Sequence, residues 1–455
     1  MTTLAIPSRM NAAPSAAYRA IGRVFLMYLT LYGYMKIFLF AYTAQVAVIL
    51  PKSSLIKYDP ARWFDYELAC LLLPLAFLPI GTRLNSAAQY LLGPLIVMVL
   101  LGIPIVFLGQ VPPGTYWWAF AMLWIGAFIM SVASRYSFAL RATELSPARY
   151  TNVANVLLAA FVLLLGFAAR THLDFVSFSD LAKARQSVEA SGLLFYTVYN
   201  FTGGVGGFFI AYGITQRRIV PVIVGVVGFV VCFGVLAIKL AALAPAWIGA
   251  FYLARRYFCR DSFIRYLIVL MAPDVLTTLW IMLVGYEPLS PQFWAWGIIN
   301  FRLYYIPASA FNVYYDFFQL HPYTYWSHIN IVGLFVHNPY PRNLYVLLND
   351  YYHQGNFTAA FVMVDGLAAG GVEVIPIACA VFGLVLMFFN SCGRGLDPVF
   401  LGTCLAMPAI AFVDGGSMGT TLVSQGALLV AVLLLFAPRS PPFGARAVAR
   451  PGLRS

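Results

Sequence analysis

Charge is what this chain has least of. Only 10% of its 455 residues are Asp, Glu, Lys or Arg, against about 25% in a soluble domain, which excludes an ordinary cytosolic enzyme. Acidic residues are the scarcer sign, 16 against 28 basic ones, and there are five histidines. Six cysteines (Cys70, Cys232, Cys259, Cys379, Cys392, Cys404) show neither C-x-x-C spacing nor histidine neighbours, which argues against a zinc site and against a disulfide framework. The glycine series Gly203, Gly204, Gly206 and Gly207 has no following Lys-Ser/Thr pair, so a nucleotide loop is set aside in favour of helix packing. No metal and no cofactor is expected.

Apolar residues fill the space that charge leaves. They make up 62% of the chain and fall into a dozen runs with short polar breaks, leaving no room for a large water-soluble domain. We expect one polytopic membrane domain over 1–455, all α, with about twelve transmembrane helices and a range of eleven to thirteen. The candidate spans are 21–48, 64–82, 88–108, 116–133, 152–169, 192–214, 219–241, 244–254, 263–285, 367–389, 398–412 and 418–437. Arg9 and Arg19 precede a long apolar run with no small-residue cleavage site, which reads as a cytoplasmic tail and an uncleaved first span. The run at 244–254 is short enough to be a half-helix leaving a re-entrant turn.

Translocation disfavours positive flanks, so lysine and arginine orient the chain. With the amino terminus inside, eighteen of the 28 fall in cytoplasmic segments or their flanks and eight fall outside, while Lys36 and Lys239 lie within expected spans. Both termini then face the cytoplasm, and 438–455 is a basic cytoplasmic tail. The net charge of +12 reads as a topology signal plus attraction to membrane lipids. Basic residues are scattered over many short loops, so nucleic acid is not an expected partner. Acidic residues lean the other way, with only Glu144, Asp261 and Asp397 clearly in cytoplasmic breaks. Chemistry is therefore expected at the outer face.

Structureless loops beyond about 12 to 15 residues are uncommon unless functional, and 286–366 is far longer, a large outer loop. It is rich in rings, among them Tyr304, Tyr314, Tyr315 and Tyr323, and amphipathic helices at the headgroup boundary account for about half of them. They do not account for Arg302, Asp316, His321, His328, His337, Arg342, Asp350, His353 and Asp365 in the same stretch. A smaller outer loop, 170–190, carries His172, Lys183 and Arg185.

Outer-face guanidinium groups beside a bilayer suit lipid-linked phosphate or diphosphate, which they grip with bidentate bonds. Arg185, Arg302 and Arg342 are the candidates. In glycosyl transfer from a lipid diphosphate, negative charge grows on the departing phosphate, where positioned arginines act most. An acceptor hydroxyl must lose its proton, for which Asp316, His321 and Asp365 are the candidates. Arg302 equally suits a headgroup anchor, and His321 equally suits a helix cap before Pro322. Asp365 stands apart, because it enters the membrane edge, where ionisable groups are rare and usually functional. Gly366, Gly370 and Gly371 after it permit close backbone approach, or close helix packing. Within the spans, Asp274 calls for a buried partner or a proton path.

Three stretches in order carry a resemblance: DLAKARQSVEASG with Arg185; FRLYYIPASAFNVYYDFFQLHPYTYW with Arg302, Pro307, Tyr314, Tyr315, Phe318 and Pro322; and NFTAAFVMVDGLAAGG with Asn356, Asp365, Gly366 and Gly370. The sequence resembles the Wzy-type oligosaccharide repeat-unit polymerases of bacterial O-antigen and exopolysaccharide pathways. It departs from them at Leu181 and Ala182, where a tyrosine usually precedes the arginine, and at Leu367, where an aromatic is common. The resemblance implies a metal-independent glycosyltransferase of the GT-C kind in the bacterial inner membrane, with its active site periplasmic. Such an enzyme moves a growing glycan from undecaprenyl pyrophosphate to an undecaprenyl-pyrophosphate-linked repeat unit. It also implies two partners, a polysaccharide co-polymerase chain-length regulator and a flippase. By that analogy Arg185 and Arg302 bind pyrophosphate, while Asp365 and its glycines shape the acceptor site. An O-antigen ligase is the second reading. A lipid-linked oligosaccharide flippase or secondary transporter is the third, disfavoured by the lack of an internal repeat.

Overall fold

The computed structural model describes residues 13–46, 57–140, 144–175, 192–287, 290–329, 332–352 and 361–439. Among them the regular structure is all helix, with no strand and one isolated bridge, Arg83 to Ser262. In chain order the helices are α1 (Tyr18–Val46), α2 (Pro60–Ile80), α3 (Ala87–Leu108), α4 (Pro113–Ala133), α5 (Pro147–Thr171), α6 (Gly192–Gln216) and α7 (Ile219–Leu236). There follow α8 (Lys239–Leu253), α9 (Phe263–Val284), α10 (291–320), α11 (Leu344–Tyr352), α12 (Val362–Gly370), α13 (Val372–Gly393), α14 (Pro398–Asp414), α15 (Met418–Val423) and α16 (Ala427–Leu435). Nine of these, α1 to α7, α9 and α13, are long and apolar enough to cross a membrane, which makes this an all-α multi-pass membrane protein.

Local chemistry sets many of the ends. Proline in the first turn opens α2, α4, α5, α10 and α14, where its missing N–H costs nothing. Ser146, Ser262, Ser290 and Ser417 cap the helices that follow them. At the centre, α3 is apolar on every side and buried along its whole length, as a helix without a polar face must be.

Several expected boundaries move. Left-handed Ala237 (φ 52°) ends α7 at Leu236, so the span expected at 219–241 is shorter and Lys239 opens the next helix. The run at 244–254 is no half-helix. It is the middle of α8, which continues as wider turns through Ala254–Cys259. The span expected at 367–389 begins instead at Val372, because Gly371 (φ +88°) breaks the helix and leaves α12 as a separate short element. The run 418–437 divides into α15 and α16 at left-handed Gly426. The loop expected over 286–366 is partly interior. Trp296, Asn300, Tyr304, Ala308 and Phe311 bury one face of α10 against the bundle, a helical stripe that the aromatic content of the stretch conceals.

One packing relation orients the site. Trp118 of α4 lies beside Glu373 of α13, Gly126 beside Cys379, and Ala133 beside Gly383. The two helices therefore run parallel. The α12–α13 junction sits at one end of α4, and Arg135 at the other, separated by about 30 Å for a helix of this length.

Candidate functional site

The expected site residues fall into three groups. Arg185, Lys183, His353 and Asn356 lie outside the described residues. Tyr304 is fully buried, and its hydroxyl donates to the Leu270 carbonyl at 2.6 Å, so it is a packing residue and not a substrate contact. Arg342 forms an exposed pair with Asp350 at 3.2 Å, which partly neutralises the charge proposed to hold phosphate. Asp316 is exposed and accepts from the Tyr352 hydroxyl at 2.6 Å. Burial, and after it that bond, pushes the Tyr352 phenol up. His321 stacks on Phe317 with ring centroids 4.0 Å apart, and its Nδ1 lies 2.9 Å from the Phe317 carbonyl. A carbonyl only accepts, so Nδ1 carries a proton. Arg302 is exposed, with no partner among the described residues, on a stripe of α10 shared with Trp294 and Ile298. Its neighbours Asn300 and Tyr304 bond Asp274 and the Leu270 carbonyl, well inside the span α9, so Arg302 lies below headgroup level.

Asp365 is 2% exposed. Its Oδ2 accepts from the Met418 backbone N–H at 2.7 Å, and its Oδ1 faces His328 Nε2 across 3.5 Å. On the other side of the ring, Nδ1 lies 2.7 Å from the Thr324 hydroxyl, which itself donates to the Ala368 carbonyl at 2.9 Å. Because Thr324 has spent its one proton, Nδ1 must donate to it, and Nε2 is turned toward the carboxylate without a hydrogen bond. Backbone bonds from Thr324 and Tyr325 to the Ala368 and Ala369 carbonyls complete the clamp. They hold a strained turn, since Tyr325 (φ 50°) and Trp326 (φ 67°) are both left-handed. Tyr314 of α10 is buried nearby, its phenol pushed up by burial first and by Asp365 second.

The expected glycines divide. A Cβ on Gly366 would stand 2.9 Å from the Ile375 Cα, and one on Gly370 2.8 Å from a Val374 methyl. Both bring α12 against α13, the close helix packing that was the alternative reading of these glycines. Gly371 is the glycine at the surface cluster: a Cβ there would meet the Tyr323 hydroxyl at 3.0 Å and Glu373 Oε2 at 3.1 Å.

That cluster holds residues that the sequence reading missed. Glu373 is exposed, and its Oε1 accepts from Trp118 Nε1 at 2.8 Å. Tyr323 and Tyr315 are half-buried beside it. Burial, then the Glu373 charge, raises the Tyr323 phenol; Tyr315 is raised by burial, then by Tyr323 and Glu373. Both remain protonated donors at neutral pH. A carboxylate flanked by an indole and two phenols can take a proton and hold sugar rings. The available signal was the acid in GGVEV, just beyond the glycines already singled out. His328 stood out among the loop histidines, but nothing marked Thr324, and the pairing of both with α12 is tertiary.

Asp274 has the buried partners expected of it. It accepts from the Tyr34 hydroxyl at 2.9 Å and from Asn300 Nδ2 at 2.6 Å. Asn300 also bonds Thr277 and Thr278, and Gln45 links Thr278 to Trp296. This network joins α1, α9 and α10 and is closed by its own members. Lys36 pairs with Glu67. The glycine series packs as expected, with Gly203 and Gly204 against the carbonyls of Gln425 and Gly426. No protein-family model, curated protein or solved structure matches the chain.

Proposed function

We propose that this protein is an integral-membrane glycosyltransferase of the GT-C kind, moving a glycan from a polyprenyl diphosphate onto a second lipid-linked oligosaccharide, as Wzy-type polymerases do. One observation supports the reading most: the exposed Glu373 carboxylate beside Trp118, Tyr315 and Tyr323. Aromatic faces stack on sugar rings, and protonated phenols donate to sugar oxygens. The acceptor hydroxyl oxygen bonds the anomeric carbon while the bond from that carbon to the diphosphate breaks. The electron pair leaves with the diphosphate, and Glu373 takes the hydroxyl proton.

Arg302 lies about 20 Å from Tyr315 along α10, so we assign it to the diphosphate of the acceptor lipid, an oligosaccharide away from the reacting carbon. Asp365 and His328 act from behind, holding the turn that follows Tyr323. Glu373 displaces Asp365 as the base because a base must reach the proton it abstracts, and both Asp365 oxygens already face protein groups. A flippase that supplies substrate and a co-polymerase that sets chain length are the partners this reaction calls for.

Reconstituted in vesicles with a polyprenyl-diphosphate-linked repeat unit, the protein is expected to produce a ladder of lengths, and Glu373→Gln to abolish it. Transfer to lipid A core with no ladder would make it a ligase. Translocation with no covalent product would make it a transporter.

A further inference from the structure

A second polar feature lies at the other end of α4. A cavity of about 600 Å³ opens between the start of α1, the turn joining α2 to α3, and the end of α4. Arg19, Arg23, Arg83 and Arg135 line it, and no carboxylate does. The guanidinium groups of Arg23, Arg83 and Arg135 have no partner among the described residues. Like charges gathered around one cavity repel each other unless an anion sits between them.

The walls are held in place. Phe263 N–H bonds the Thr82 carbonyl and Leu84 N–H the Asp261 carbonyl, each at 3.0 Å, pinning both sides of Arg83. Asp261 turns its own carboxylate to Arg255 at 3.4 Å. The Gln89 side chain accepts from the Asn85 and Ser86 N–H groups and donates to the Arg83 carbonyl at 2.6 Å. These turn amides are therefore spent, and the arginines are the strong donors that remain. Arg135 lies over Gly81, where a Cβ would meet its Nη2 at 3.2 Å.

We propose that this cavity binds the phosphate headgroup of an anionic phospholipid. Guanidinium groups match phosphate with bidentate bonds. The source is lipid because Val24 lines the same cavity and Ile21, Phe25 and Leu29 continue from it as an exposed apolar strip along α1. A soluble phosphate has no use for that strip, whereas an acyl chain covers it. The site is independent of the proposed glycan transfer and about 30 Å from it along α4.

Native mass spectrometry of the detergent-purified protein, with cardiolipin, phosphatidylglycerol or phosphatidylcholine added in turn, tests it. Wild type is expected to retain both anionic lipids over phosphatidylcholine. The triple variant Arg23→Gln, Arg83→Gln, Arg135→Gln is expected to bind them on the order of a hundredfold more weakly. A charge-matched control, Arg217→Gln, Arg218→Gln, Arg256→Gln, is expected to behave as wild type. Equal retention by the triple variant, or an equal loss in the control, overturns the proposal. Displacement of the lipid by an equal concentration of inorganic pyrophosphate overturns its lipid part. If the triple variant is not monodisperse, Arg83→Gln alone is expected to weaken binding about fivefold, and unchanged binding overturns the proposal.

Discussion

Replacing Asp365 by asparagine and by alanine, alongside Glu373→Gln, separates support from catalysis. Alanine removes the acceptor that the buried Met418 N–H uses at 2.7 Å and the group that His328 Nε2 faces. A buried donor left without a partner costs about 1–3 kcal/mol, and the Met418 N–H is that donor, since His328 Nε2 has no hydrogen bond to lose. Asparagine keeps an acceptor for Met418 and turns an N–H toward Nε2, exchanging a charge-assisted bond for a neutral one at about 1 kcal/mol. Thermal unfolding of the purified protein should therefore rank wild type, then Asp365→Asn, then a clearly weaker Asp365→Ala. In the ladder assay, Asp365→Asn should keep chain growth within about tenfold, while Glu373→Gln loses about a hundredfold or more, the usual worth of a general base. The reasoning fails if Asp365→Asn is stably folded yet as inactive as Glu373→Gln, since proton transfer would then belong to Asp365. It fails equally if Glu373→Gln grows chains normally.

Arg302→Ala is expected to stop chain growth with unfolding stability within about 0.5 kcal/mol of wild type, as for other exposed side chains; normal growth removes Arg302 from the site. Gly371→Ala should lower activity, because its Cβ meets Tyr323 and Glu373 and its φ of +88° strains any side chain. Gly366→Ala should instead lower stability by about 1–3 kcal/mol through overpacking against Ile375, and unfolding curves with ladder assays on both variants will show whether the two effects separate. All six native cysteines are buried, so Gln319→Cys and Tyr136→Cys can be labelled selectively. A membrane-impermeant maleimide should reach them from opposite sides, and labelling from one side would refute the orientation. Burial and then Glu373 raise the Tyr323 phenol above its ordinary value of about 10. A raised pKa keeps the phenol's contribution whole below that ordinary value and loses it only as pH climbs through the raised one. Tyr323→Phe should thus weaken substrate binding by the same factor at about pH 7 and about pH 9, and a factor that shrinks at the higher pH contradicts this.

Helix content and membrane character were legible from the residues alone, because both follow from local quantities: the length of an apolar run against the bilayer, and the shortage of charge within it. The same locality explains the errors at 219–241, 367–389 and 418–437, where hydropathy is continuous but a left-handed residue breaks the helix. It explains α10 as well, whose aromatic sequence looks alike at an interface and in an interior. What only the tertiary structure decided is which ionisable groups solvent can reach. Asp365 and Glu373 lie on either side of the break at Gly371, yet the first is enclosed by Met418 and His328 while the second meets Trp118 from 255 positions away. Access and partnership are set by what packs across a residue in space, and no run or spacing along the chain encodes that contact.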